Sequence, residues 1–172
     1  MNKTILIPTD FTIGSLSVLK SFLNNNTESN AVYEIVLLHE HNLSSSITEL
    51  LFFSKSNLIN SLTNKEFEDA CVIIKNKYAS QVKSIRKDVF TGFTQNAFNN
   101  YISANKIDEA CLPFGQKKEL LFNANGNLFK YIKKSNITIH EINLPQDDKL
   151  PEKGKLAEMF YNGSVSVSQT TR

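Results

Sequence analysis

The chain has 172 residues, with nineteen Lys and Arg against seventeen Asp and Glu and a formal net charge of +2. Hydrophobic residues make up 41% of it, which suits one domain with a sizeable core and excludes a wholly disordered chain. A charge so close to balance argues against a dedicated nucleic-acid binder or a polybasic membrane anchor, and no apolar run approaches the ~20 residues of a membrane helix. Met1 to Ile7 runs straight into a strand pattern, without the long apolar stretch of a signal peptide, so the cytoplasm is the expected location. Cys71 and Cys111 stand far apart in apolar contexts. They read as buried free thiols rather than as a disulfide or zinc framework.

In chain order, Lys3-Thr-Ile-Leu-Ile-Pro8 is a short apolar, β-branched run of the kind that forms a strand covered on both faces. Ser15 is placed to cap a helix whose apolar residues Leu16, Leu19, Phe22 and Leu23 recur at helical spacing, and Asn24 to Asn26 end it. Tyr33 to Leu38 predicts a second buried strand, finishing at His39-Glu40-His41. The stretch from Ser44 to Leu62 is less regular. Its Leu50-Leu51-Phe52-Phe53 run predicts a short helix, read as core or as a lid rather than as a partner groove.

Thr63-Asn-Lys-Glu66 matches a capping box, and the helix after it aligns Phe67, Ala70, Cys71, Ile74 and Tyr78 on one face. Ser84 to Phe90 predicts a strand. Thr94 opens a helix with Phe98, Tyr101 and Ile102 inward, and Ala110 to Phe114 predicts the fourth strand. After a loop to Gly126 come a helix carrying Leu128, Phe129 and Ile132 and a fifth strand, Ile137 to Ile142. Strands alternating with helices throughout imply a parallel α/β sheet. Beyond Gln146 the pattern stops, so residues 146–172 are expected to be a polar tail, mobile or docked on a partner.

The order of these elements and three local matches resemble the universal stress protein (UspA-like) family. Lys3 to Thr12 with Ser15 and Val18-Leu19 resembles the family's first strand, its Asp and its first helix. Val36-Leu-Leu-His39 resembles the end of the second strand. Gly126-Asn127-Leu128, with Ile132-Lys-Lys and Ile137-Thr-Ile139, resembles the last helix and strand. The resemblance covers roughly residues 2 to 145 of an expected domain 1–145, and implies a Rossmann-like, doubly wound sheet of five parallel strands in the order 3-2-1-4-5, with helices on both faces. It also implies a ligand crevice at the carboxyl ends of strands 1 and 4.

ATP-binding members are expected to carry a Gly-x-x-Gly, nine-residue spacer, Gly-Ser/Thr pattern there, which brings backbone N–H donors and a helix N-terminus to the phosphates. Here the first glycine position is Pro113, which has no N–H, the second is Gln116, and the Ser/Thr position is Asn127; Gly126 alone is kept. Asp10 stands where such members contact the nucleoside, although Asp also serves a post-strand turn by itself. Gly126 and Asn127 equally suit a helix start, and Lys117 and Lys118 either attract phosphate or are simply solvated. A metal at His39 and His41 lacks a visible third ligand, and there is no nucleophile elbow or Walker lysine motif.

The reading is therefore a regulatory or scaffolding domain, not an enzyme, with weak or lost ATP binding. No cofactor is assured. A homodimer through the last strand, Ile137 to Leu144, is implied by the resemblance, and the sequence does not identify a downstream protein partner. The alternative is a sensor for an adenine nucleotide or small anion at the crevice, and an ATP-hydrolysing enzyme ranks last.

Overall fold

A computed structural model describes residues 2–26, 30–43, 46–114 and 127–144, except for the side chain of Glu49. Gln116, Gly126, the lysine pair and the tail 146–172 lie outside the described residues. In chain order come β1 (Asn2–Pro8), α1 (Leu16–Asn25), β2 (Val32–Glu40), α2 (Ile47–Leu51), α3 (Lys55–Leu62) and α4 (Lys65–Lys77). Then follow β3 (Val82–Phe90), α5 (Gln95–Ala104), β4 (Glu109–Pro113), α6 (Leu128–Lys134) and β5 (Thr138–Ile142).

The sheet order is β3-β2-β1-β4-β5 and every pairing is parallel, which makes the domain the Rossmann-like, doubly wound sheet that the sequence implies. β1 is central, and Ile5, Leu6 and Ile7 are each fully buried, as a strand covered on both faces requires. Burying each such side chain contributes about 1.5 to 3 kcal/mol. On one face, Phe22 of α1 meets Tyr33 of β2 and His140 of β5, while Phe67 of α4 meets the Phe11 ring. On the other, Phe90 of β3 packs edge-on against Phe98 and Tyr101 of α5 and Tyr131 of α6. At the amino end of β4, Glu109 accepts from Lys3 and lies 2.8 Å from His140 Nε2. Burial pushes Glu109 up, but its Lys3 and His140 partners outweigh that and hold the carboxyl below its ordinary value.

Three sequence expectations change in detail. Ser15 precedes α1, but its hydroxyl does not cap the helix. It donates to the Thr12 carbonyl at 2.8 Å and lies 2.7 Å from Thr9 Oγ1. The chain enters α1 through successive tight turns, Ser15 to Thr12, Leu16 to Ile13 and Ser17 to Gly14, so backbone carbonyls already take the first N–H groups.

At α4 the cap is Asn64, whose side chain accepts from Phe67 N–H at 2.8 Å, while the Thr63 hydroxyl turns back to the Ile59 carbonyl. The Leu50 to Phe53 run is not core. Leu51 and Phe52 are 75% and 81% exposed, because the short α2 stands off the sheet. The apolar faces of α4 and α5 fall as expected, with Phe67, Ala70, Cys71, Ile74, Phe98 and Ile102 buried. Cys71 and Cys111 are free and buried, and burial pushes the Cys71 thiol up to about 12, where it is unreactive at neutral pH.

Candidate functional site at the carboxyl ends of the strands

The β1–β4 ladder sets the geometry of the site. It consists of the pairs Ile5–Glu109 and Leu6–Ala110, whereas β1 stays paired with β2 through Pro8 and Leu38. Past Leu6 the two central strands therefore part, and a gap opens at their carboxyl ends, on the side where the winding direction reverses.

Pro113, the last residue of β4, stands at this gap. The next residue, Phe114, donates its N–H to the Ile142 carbonyl at 2.9 Å, so by strand alternation the missing Pro113 N–H faces β1. Proline is tolerated in this inner strand because no ladder remains there to be broken.

Asp10 follows β1 on the other side of the gap. Its Oδ1 accepts from the Thr12 backbone N–H at 2.9 Å and from the Thr12 hydroxyl at 2.6 Å, an Asx turn. The adjacent Phe11 has φ of 59°, the left-handed region that costs a non-glycine residue about 1 to 2 kcal/mol. Its surroundings hold it there. Phe11 N–H donates to Thr9 Oγ1 at 2.9 Å, and its buried ring lies 5.4 Å from that of His39 and 5.6 Å from that of Phe67. His39 Nδ1 is 3.0 Å from the Thr9 carbonyl, so this histidine braces the corner. Among the described residues no group of three or more His, Cys, Asp or Glu is arranged to hold a metal ion.

Asn127 takes the cap position of α6, but its side chain makes no capping bond. The carboxylate of Glu40, at the end of β2, accepts the Leu128 N–H instead, at 2.7 Å. An anion at a helix start is favoured by the free N–H groups and the helix dipole. This one comes from the chain itself, 88 residues away in sequence. Sequence reading passed over Glu40 because a single acidic residue ending a strand carries no motif. The clue that was available is the double loss at Pro113 and Gln116, which calls for some replacement partner at the helix start.

The same architecture recurs among solved structures. The universal stress protein UspA from Lactobacillus plantarum superposes with a TM-score of 0.53 at 14% identity, over 81% of this chain and 97% of that one. The chain has the universal stress protein fold. The hypothetical protein PH0823 matches with a TM-score of 0.51 at 18% identity, over 84% of this chain and 99% of that one. A universal stress protein family member from Burkholderia pseudomallei matches with a TM-score of 0.50 at 9% identity, over 81% and 95%. No protein-family model and no curated protein matches the chain. On the universal stress protein fold, Asp10, Pro113 and the start of α6 thus gather at the carboxyl end of the sheet. No helix of the described residues is long and apolar enough to cross a membrane.

Proposed function

We propose that the chain is a universal stress protein-like regulatory or scaffolding domain, dimeric through its last strand, in which ATP binding is weak or lost. The observation that carries this reading is the Glu40 carboxylate on the Leu128 N–H. In ATP-binding members the start of this helix offers its N–H groups to phosphate. Here one is already held by a carboxylate, and an incoming phosphate meets a like charge. Pro113 adds to this, since it removes a backbone donor on the opposite side of the gap. Dimerisation is supported by the position of β5 at the outer edge of the sheet, with Ile137, Ile139 and Leu144 only partly buried. Pairing would cover that edge. The tail 146–172 is the region we assign to a downstream partner.

Two measurements test the reading. Protein purified without added nucleotide, heat-denatured and cleared of precipitate, should release no adenine nucleotide, and ATP with Mg²⁺ should leave the melting temperature unchanged. Near-stoichiometric nucleotide would overturn the loss of binding. Size exclusion with light scattering at tens of micromolar should give a dimer, and a strict monomer would overturn the assembly.

A second reading, a sensor for an adenine nucleotide or small anion, is favoured by the placement of Asp10 and Pro113 on either side of the gap between β1 and β4. Under it, Asp10→Ala weakens binding about tenfold or more, the worth of a hydrogen bond to a charged group. Unchanged binding would remove Asp10 from the site.

A further inference from the structure

The α2–α3 segment, residues 47–62, is attached to the domain in an unusual way. None of the α3 residues is buried, and its apolar contribution to the core consists of the partly buried Leu58, Ile59 and Leu62. Its hydrogen bonds Asn57 to Ser54, Ser61 to Leu58 and Thr63 to Ile59 close within the segment or on the residue that follows it. α3 packs against β3, the outermost strand on its side of the sheet. From the first residue of α3, Lys55 reaches across and places its Nζ 2.6 Å from Asp88 Oδ1 and 6.0 Å from the centre of the Tyr101 ring.

The receptor for that ammonium is built without the segment. Asp88 is buried in β3, and its Oδ2 accepts the Tyr101 hydroxyl at 2.8 Å, while its Oδ1 accepts the Val89 N–H at 2.8 Å. Arg86 Nη1 stands 3.4 Å away and bonds Asn105 Oδ1 at 3.0 Å. All of these groups belong to β3, to α5 and to Asn105 at the end of α5, so the carboxylate keeps its place when Lys55 leaves. What it loses is its closest cation, with Arg86, Tyr101 and the Val89 N–H left as its partners. That lost attraction, with the packing of Leu58, Ile59 and Leu62, is what holds the segment down.

We propose that residues 47–62 form a strap latched over the outer strand of the sheet by Lys55 on Asp88, and that breaking this one contact opens the strap as a unit while the rest of the domain stays folded. The strap carries Ile47, Leu51 and Phe52, each at least 75% exposed, so its opening changes where this apolar stripe is presented. The latch therefore sets how freely this segment leaves the sheet. This inference stands apart from the reading of the crevice and does not depend on it.

Amide hydrogen exchange on the full chain tests it. Lys55→Gln should speed exchange of residues 55–62 about tenfold, as expected for a local opening, while the β1 amides keep their wild-type rates. Lys55→Arg, which keeps the charge, should restore protection to within about twofold, a residual set by the different head-group shape. In an Asp88→Asn background Lys55→Gln should add nothing further, the mark of coupling between the two residues. Unchanged exchange at 55–62 in folded Lys55→Gln would overturn the latch. Equal acceleration of strap and β1 would also overturn it, since the contact would then support the whole domain. The Lys55 side chain is 45% exposed, so the variant is compatible with a folded chain.

Discussion

The loop after β1 and the segment after β2 both leave the carboxyl end of the sheet, and both carry aromatic residues. In the first, Phe11 is fully buried despite a left-handed backbone, because Thr9, Ser15 and Asp10 close every turn around it with hydrogen bonds. In the second, Phe52 and its apolar neighbours stay exposed, and the segment is held by a charge contact and a few partly buried side chains. Apolar content alone does not bring a segment inside. A segment is drawn in when its polar backbone can be satisfied on the way. The corner after β1 meets that condition through its own side chains and through Leu38 and His39 of the adjacent β2, and the strap after β2 meets it by standing off as helices.

The contrast is broken most directly by matched truncations. Phe11→Ala should cost about 3 to 5 kcal/mol, read as a lower urea midpoint, since it opens a cavity between His39 and Phe67. Phe52→Ala, at an 81% exposed position, should stay within about 0.5 kcal/mol. Equal costs would end the distinction. The hydrogen-bond argument is sharpened by Thr9→Val, which keeps the shape but leaves the Phe11 N–H without its buried acceptor and removes the hydroxyl that meets Ser15 Oγ. The same urea titration should show a loss of about 1 to 3 kcal/mol.

The smallest effect concerns pH at the strap. Burial pushes the Asp88 carboxyl up, but bonds from Lys55, Tyr101 and Val89 outweigh it and leave the group below its ordinary value. A carboxyl lowered on folding stabilises fully above the unfolded carboxylate range, and that contribution is lost as pH falls from about 4 through the lowered folded value. Asp88→Asn should thus flatten the acid limb of the stability curve, most visibly in the protection of residues 55–62. An acid limb identical to wild type would show that Asp88 carries none of it. At the alkaline end burial, then the bond to Asp88, raises Tyr101, so ionising the phenol opposes the folded state.

The sheet was legible because its signals are local and redundant. Ile5 to Ile7 and Val36 to Leu38 are continuous apolar runs, and Phe67, Ala70 and Ile74 repeat at helical spacing. Caps were less legible, since Thr63, Asn64 and Ser15 can each serve several backbone donors, and which one wins depends on the path of the incoming chain. Asp10 and Pro113 were found through the resemblance, and both lie at the gap. Glu40 and Lys55 were missed for a single reason. Each acts on a residue far along the chain, 88 positions away for Glu40 and on another element for Lys55, and no periodicity records such a pairing.

The Glu40 contact has a consequence for how the fold's stability depends on ligand supply. A ligand that binds only the folded state adds to stability in proportion to the logarithm of its supply, so many binding proteins thin out when the ligand runs short. With its own carboxylate seated at the start of α6, this chain completes that helix without a visitor. Under the proposed loss of ATP binding, the stability of its fold does not rise or fall with the nucleotide supply.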